Sequence, residues 1–253
     1  MNYHRLVGLI WVVFVYCVWF TLKKLKHWRY SLVVMLVILA SLLLFKETQI
    51  SVTVWLGLEL SVKAYAAFIS STALLIIALA GVFLHVALIE NFTLNFQADC
   101  NLLKPIGDSF LLRASLVPLM ISCGFPLFHT IVTLAILRAG LGCYSIFLEQ
   151  KASNQEAAFV TVGLFIRECY SVYSYMITGS AYPLVIVEFV SKLVTTPGFD
   201  FFEETSNLYS YRYLLVLTYL AGMVAFIWLF PLIMNPSLFK GWPLDYYHSL
   251  NET

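Results

Sequence analysis

The sequence predicts an all-α fold, a polytopic bundle of seven transmembrane helices built as a two-helix hairpin followed by five. Three observations carry that prediction. Of 253 residues, 61% are hydrophobic and 11% charged, where a soluble domain is nearer about 45–50% apolar and 25% charged. The apolar residues gather in runs close to the roughly 20 that a helix needs to cross a bilayer. The breaks between several of these runs are short and polar, so that consecutive helices become antiparallel neighbours. A net charge of +1 gives no reason to expect nucleic acid or an acidic partner. No linker sets off a soluble domain and no internal repeat is visible. Residues 1–253 read as a single integral membrane domain, with 5–46 the amino-terminal helical hairpin and 62–235 the five-helix bundle.

Leu6–Leu22 is almost wholly apolar. It is too long and too aromatic for a usual signal-peptide core, and no small-residue cleavage site comes after it, so it reads as a first span. Lys23, Lys24, Lys26 and Arg29 form a basic loop, with Trp28 and Tyr30 as interfacial anchors. Tyr30–Phe45 is the second span. Lys46–Ser61 is mixed in character and reads as an interfacial connection, because a lone strand leaves its backbone unsatisfied in lipid. Val62–Ile89 is a third span whose Ala66, Ala67, Ser70, Ser71, Ala78 and Gly81 allow close helix approach. Glu90–Gly124 reads as a surface loop because of Asp99, Lys104, Pro105, Gly107 and Asp108. Within it Ser109–Met120, apolar but short and interrupted by Arg113 and Pro118, is expected to be an interfacial or re-entrant piece. The fourth and fifth spans, Pro126–Glu149 and Glu156–Tyr175, make a central hairpin. Thr178–Thr195 is the sixth and Tyr211–Met234 the seventh.

Ionisable side chains at membrane depth are costly and face protein or polar cavities. Arg138, Arg167, Glu168 and Glu188 are therefore the chemically suggestive set, open to two readings: a proton or ion path, or a structural arrangement of ion pairs and lipid headgroups. The second is plainer, since no chain of carboxylates spans the bilayer. In the central hairpin Arg138 and Glu168 stand at similar distances from the turn. Arg138 is expected to pair with Glu168, or with Glu188, and Arg167 to meet a lipid headgroup or a neighbouring subunit. Glu149, His85 and His129 complete the candidate lipid or ion-pair residues. The five histidines show no pair at helical ligand spacing, so no metal site is assigned. There is also no phosphate-binding glycine loop and no nucleophile motif. Five cysteines without a CxxC pair give no disulfide framework. Cys17, Cys143 and Cys169, inside apolar runs, read as small core residues.

Four stretches resemble a known family, subunit 3 of mitochondrial cytochrome c oxidase, in a divergent protist form. Gly57–Leu58 and Val82–Leu88 are similar to the family's third helix. Pro126-Leu127-Phe128-His129-Thr130 stands where the family has Pro-Leu-Leu-Asn-Thr, and Leu148-Glu149-Gln150 where it has Met-Glu-Gly. Ala157-Ala158-Phe159-Val160-Thr161 matches Ala-Leu-Phe-Ile-Thr of the fifth helix, and Ile227–Leu232 resembles the aromatic run of the seventh. The resemblance rests on order and spacing from Gly57 onward. It implies a multi-pass subunit of the mitochondrial inner membrane with no redox centre of its own. Such a subunit supports assembly of respiratory complex IV and proton uptake by its neighbour. Haem a and copper are expected in the partner catalytic subunits. The expected partners are catalytic subunit 1, other complex IV subunits and phospholipids including cardiolipin, with lipid held between the first two helices and the other five.

The chain also departs from that pattern. The family's helix-three glutamate falls near Thr72, its helix-six histidine pair near Ala181 and Leu184, and its helix-seven His and Asp near Gly222 and Ala225. Roles of those groups do not transfer. Two other readings compete. Trp55-Leu56-Gly57-Leu58-Glu59-Leu60 resembles a short motif of a membrane subunit of respiratory NADH dehydrogenase, although Lys63 does not supply that family's mid-membrane lysine. A stand-alone transporter lacks support from an inverted repeat. The basic loop and the family resemblance point to opposite membrane orientations.

Overall fold

The computed structural model describes residues 3–22, 27–45, 51–58, 107–145, 154–182, 184–185 and 212–233. Among these the chain is helical apart from short turns. Helix α1 is Tyr3–Leu22, α2 His27–Phe45 and α3 a single turn, Val52–Trp55. A π-helical turn, Phe110–Ser115, runs into α4, Leu116–Ser122. Then come α5, Leu127–Ser145, α6, Asn154–Thr178, and α7, Arg212–Ile233. The first, second, fourth, fifth and seventh expected spans thus correspond to α1, α2, α5, α6 and α7. The expected third span, most of the sixth, and Glu149, Glu188 and His85 lie outside the described residues.

Helices α5 and α6 form the most extensive helix–helix contact, and α7 packs on α6. The segment holding the π turn and α4 sits between these and the amino-terminal hairpin: α2 packs on both of its halves, and α1 on α4 and α5. Trp11 Nε1 donates to Ser41 Oγ at 2.9 Å, and Ser41 Oγ to the Val37 carbonyl at 2.9 Å, tying α1 to α2. Ser51 caps α3, its side chain accepting from the Val54 amide. After α3 the backbone turns at Gly57, with φ +65°. The Gly57 carbonyl accepts from the Ala181 amide at 2.8 Å and from Ser180 Oγ at 3.2 Å. A Cβ at Gly57 would lie 2.8 Å from the Ala181 nitrogen, so both the left-handed conformation and the space require glycine.

Helices α1 and α5 are long and apolar enough to cross a membrane. A helix of 20 residues spans about 30 Å, the thickness of the hydrocarbon core. Only 33% of the most apolar window of α1, and 28% of that of α5, is buried within the chain. The rest turns large apolar side chains outward: Ile10 and Phe14 on α1, Met35 and Leu39 on α2, Ile136 on α5 and Trp228 on α7 are all exposed. Polar side chains are buried instead, among them Ser41, Arg113, Thr130, Arg138, Glu168 and Ser174. Apolar outside and polar inside suits a chain associated with a membrane, whose ionisable groups are sheltered by protein.

Two expectations are corrected here. The stretch Gly107–Ser122, which the sequence assigns to a surface loop with an interfacial piece, is the most buried part of the described chain. Every residue from Leu111 to Ile121 is buried, because α1, α2, α5 and α6 enclose it. Arg113 and Pro118 suggest a break, yet both are accommodated once neighbouring helices supply partners. Cys17, which reads as a core residue in sequence, lies exposed on the outer face of α1. A thiol is weakly polar, and an apolar surrounding suits it as well as a core does. The four described cysteines are all free.

Candidate functional site

The π turn carries Arg113 into the middle of the molecule. Arg113 Nη2 donates to Glu168 Oε2 of α6 at 2.7 Å, and both side chains are 0% exposed. The sequence leads one to expect Arg138 to pair with Glu168 or with Glu188, the second of which lies outside the described residues. The partner of Glu168 is Arg113, because an enclosed helical segment that the sequence does not announce fills the space between α6 and the amino-terminal hairpin. Arg138 points toward α1 and lies over the Trp19 ring, its guanidinium carbon 4.0 Å from the ring centroid. At that distance the ring's negative face attracts the cation, all the more where water is excluded.

Trp19 Nε1 donates to Asp108 Oδ1 at 2.6 Å, and the Tyr30 hydroxyl of α2 donates to the same oxygen. A Cβ on the preceding residue, Gly107, would meet the Tyr30 ring at 2.9 Å, so glycine lets the ring settle against the backbone beside its acceptor. Tyr16, one turn before Trp19, donates to the Leu134 carbonyl of α5 at 3.2 Å. Its hydroxyl lies within the electrostatic reach of Glu168, Arg113 and Arg138, as that of Tyr30 does for Asp108 and Arg138. Among the described residues the result is one cluster of two cations and two carboxylates, formally neutral, with Tyr16, Trp19 and Tyr30 of the hairpin as its aromatic side. Neutrality matters because an uncompensated buried charge costs several kcal/mol. Glu168 Oε1 has no hydrogen-bond partner among the described residues.

The structure thus brings together Arg138 and Glu168 of the candidate residues. Arg167 stays half-buried beside Glu168 on α6; among the described residues its Nε has no hydrogen-bond partner, and its carbonyl accepts from Ser171 Oγ at 2.9 Å. His129 is exposed on the outer face of α5, edge-on to the Phe128 ring with centroids 6.2 Å apart. Five members of the cluster, Tyr16, Trp19, Tyr30, Asp108 and Arg113, do not stand out as site residues in the sequence. A signal for Arg113 is present all the same: it is an ionisable residue inside the apolar run Phe110–Met120, the same criterion that selects Arg138. No group of three or more histidines, cysteines and carboxylates is placed to hold a metal among the described residues. The arrangement can hold charge in place and tie five helical elements together: α1, α2, the π-turn segment, α5 and α6. Comparison with protein-family models, with curated proteins and with solved structures finds no match to this chain.

Proposed function

We propose that the chain is a non-catalytic membrane subunit of a respiratory oxidase, of the kind represented by subunit 3 of mitochondrial cytochrome c oxidase. Its place would be the mitochondrial inner membrane, beside a catalytic subunit that carries haem a and copper. One observation carries the reading. The two stretches of most continuous resemblance, 126–149 and 156–175, contain most of α5 and α6, the most extensively packed helix pair of the described chain. Gly142 supports that close pairing, since a Cβ there would lie 2.2 Å from Leu164 Cδ1 on α6. The outward apolar faces and the buried charge cluster suit a subunit that contributes packing and bound lipid rather than redox chemistry. Isolation from native membranes in mild detergent tests the proposal. Haem a and copper that co-purify in constant ratio with the chain are the expected outcome. Flavin and iron–sulfur clusters in their place would favour an NADH dehydrogenase subunit, and a purified monomer that reconstitutes solute flux would favour a transporter.

A further inference from the structure

We infer that Pro118 and Tyr175 are positioning residues for the buried ion pair: together they maintain the π turn that aims Arg113 at Glu168. The inference is independent of the oxidase reading. Pro118 is the third residue of α4. In a regular helix its nitrogen would bond the carbonyl of the residue four positions earlier, Ala114, but proline has no N–H and its ring clashes with that carbonyl. The backbone here does not continue as a regular α-helix through that point. It widens into the π turn Phe110–Ser115, which ends three residues before the proline. A π turn at this place relieves the α-helical pairing with Ala114 that Pro118 cannot make.

The Tyr175 hydroxyl of α6 stands beside the Ala114 carbonyl. It donates to the Trp55 carbonyl at 3.0 Å, and its oxygen is 3.5 Å from the Ala114 carbonyl, so it packs α6 and the end of α3 against the turn. Tyr175 is 0% exposed, so water does not compete for either carbonyl. Within the turn Ser115 Oγ donates back to the Leu111 carbonyl, a side-chain bond of the kind that bends helices.

The extra residue of a π turn rotates the helix before it by about 100° relative to the helix after it. Arg113 sits inside the turn, so its direction depends on that rotation. A helix regularised through this region would swing the guanidinium away from α6 and strand Glu168, which has Arg113 at 2.7 Å and, among the described residues, no hydrogen-bond partner on its other oxygen. On this reading the cost of losing Pro118 is the cost of a broken ion pair, not of a lost proline.

The test compares Pro118→Ala in two backgrounds, the natural chain and a chain carrying Arg113→Met and Glu168→Gln together, each purified from membranes and scored for folded fraction. In the natural background P118A should lower the folded-to-unfolded ratio by at least roughly a hundredfold, as expected for a stranded buried charge. In the charge-free background the same change should cost less than about tenfold. Should P118A fail to accumulate in the natural background, recovery of the triple variant to the level of the double variant still supports the inference, and an equally absent triple variant overturns it. Equal losses in the two backgrounds, or no loss in the natural one, also overturn it. Tyr175→Phe should show the same background dependence at a smaller amplitude, and a loss identical in both backgrounds would remove Tyr175 from the positioning role.

Discussion

Two apolar segments of this chain look alike in a hydropathy reading and behave in opposite ways. Helix α1 has 20 residues with no acid in its first turn and no base in its last, and its outer face is bare. The segment formed by the π turn and α4 is shorter, carries an arginine and a proline in mid-run, where α1 has its one arginine, Arg5, in the first turn, and is sealed from Leu111 to Ile121. The more polar of the two is the more deeply enclosed. Lipid accepts a long apolar helix without help from protein, so α1 needs little cover. A segment with Arg113 and a broken hydrogen-bond ladder finds its partners only from other helices, so it must be surrounded. Hydropathy grades compatibility with lipid; enclosure depends on which groups need partners.

The sharpest way to break that comparison is to remove the need for partners. Arg113→Met leaves Glu168 buried without its cation and should cost about 3–5 kcal/mol, whereas adding Glu168→Gln should recover most of the loss. The unfolding midpoint of the purified protein in mild detergent measures both. A double variant no better than the single would mean that the pair is not what the enclosure serves.

Asp108 comes next in size. It anchors the hairpin through two donors, Trp19 Nε1 and the Tyr30 hydroxyl. Asp108→Ala leaves both without their acceptor, at about 1–3 kcal/mol for each group left buried and unsatisfied. Asp108→Asn keeps an oxygen for the two bonds and should cost less. Limited proteolysis between α1 and α2 reports whether the hairpin has loosened, and equal protection in Asp108→Ala and the natural chain would count against the anchor.

The fold was legible where length and apolarity alone decide. Spans read as Leu6–Leu22, Tyr30–Phe45 and Tyr211–Met234 appear as α1, α2 and α7 with ends moved by at most three residues. It was illegible where a segment's fate depends on others. Pro118 argues for a break in any reading of local sequence, and nothing near it announces that Tyr175, 57 positions later, will pack its hydroxyl beside the same turn. The site shows the same division. Glu168 and Arg138 were visible as charges in long apolar runs. The choice of Arg113 over Arg138 as the partner of Glu168 is made by the enclosed segment and was out of reach without it.

Gly57 offers a smaller test, one that separates backbone strain from charge. Its φ of +65° and the 2.8 Å approach of the Ala181 nitrogen to a built Cβ leave no room for alanine. A non-glycine residue in the left-handed region costs of order 1–3 kcal/mol. Gly140 on α5, whose added Cβ meets nothing within 4 Å, is the matched control. Gly140→Ala should be neutral or slightly stabilising, since alanine is the better helix former. A Gly57→Ala variant that unfolds at the natural midpoint would show that the contact between residues 57 and 181 is dispensable.

The smallest effect is expected on the outer face, and it is the one that sharpens the comparison most. Met35 of α2 is 70% exposed and Ile136 of α5 is 57% exposed. In water, shortening an exposed apolar side chain changes little because it was solvated before and after. In lipid the argument is the same with the solvent exchanged, so Met35→Ala and Ile136→Ala should each fall within about 0.5 kcal/mol of the natural chain. The two environments part company when a charge is introduced. An arginine at position 136, near the middle of α5, costs about 2.5–3.5 kcal/mol in membrane insertion, while on a water-facing surface it would be harmless. The comparison to make is therefore Ile136→Ala against Ile136→Arg in a membrane-insertion assay. A large drop for arginine alone places this face in lipid. A drop for alanine as well would place it against another protein surface, where the lost side chain had been filling space.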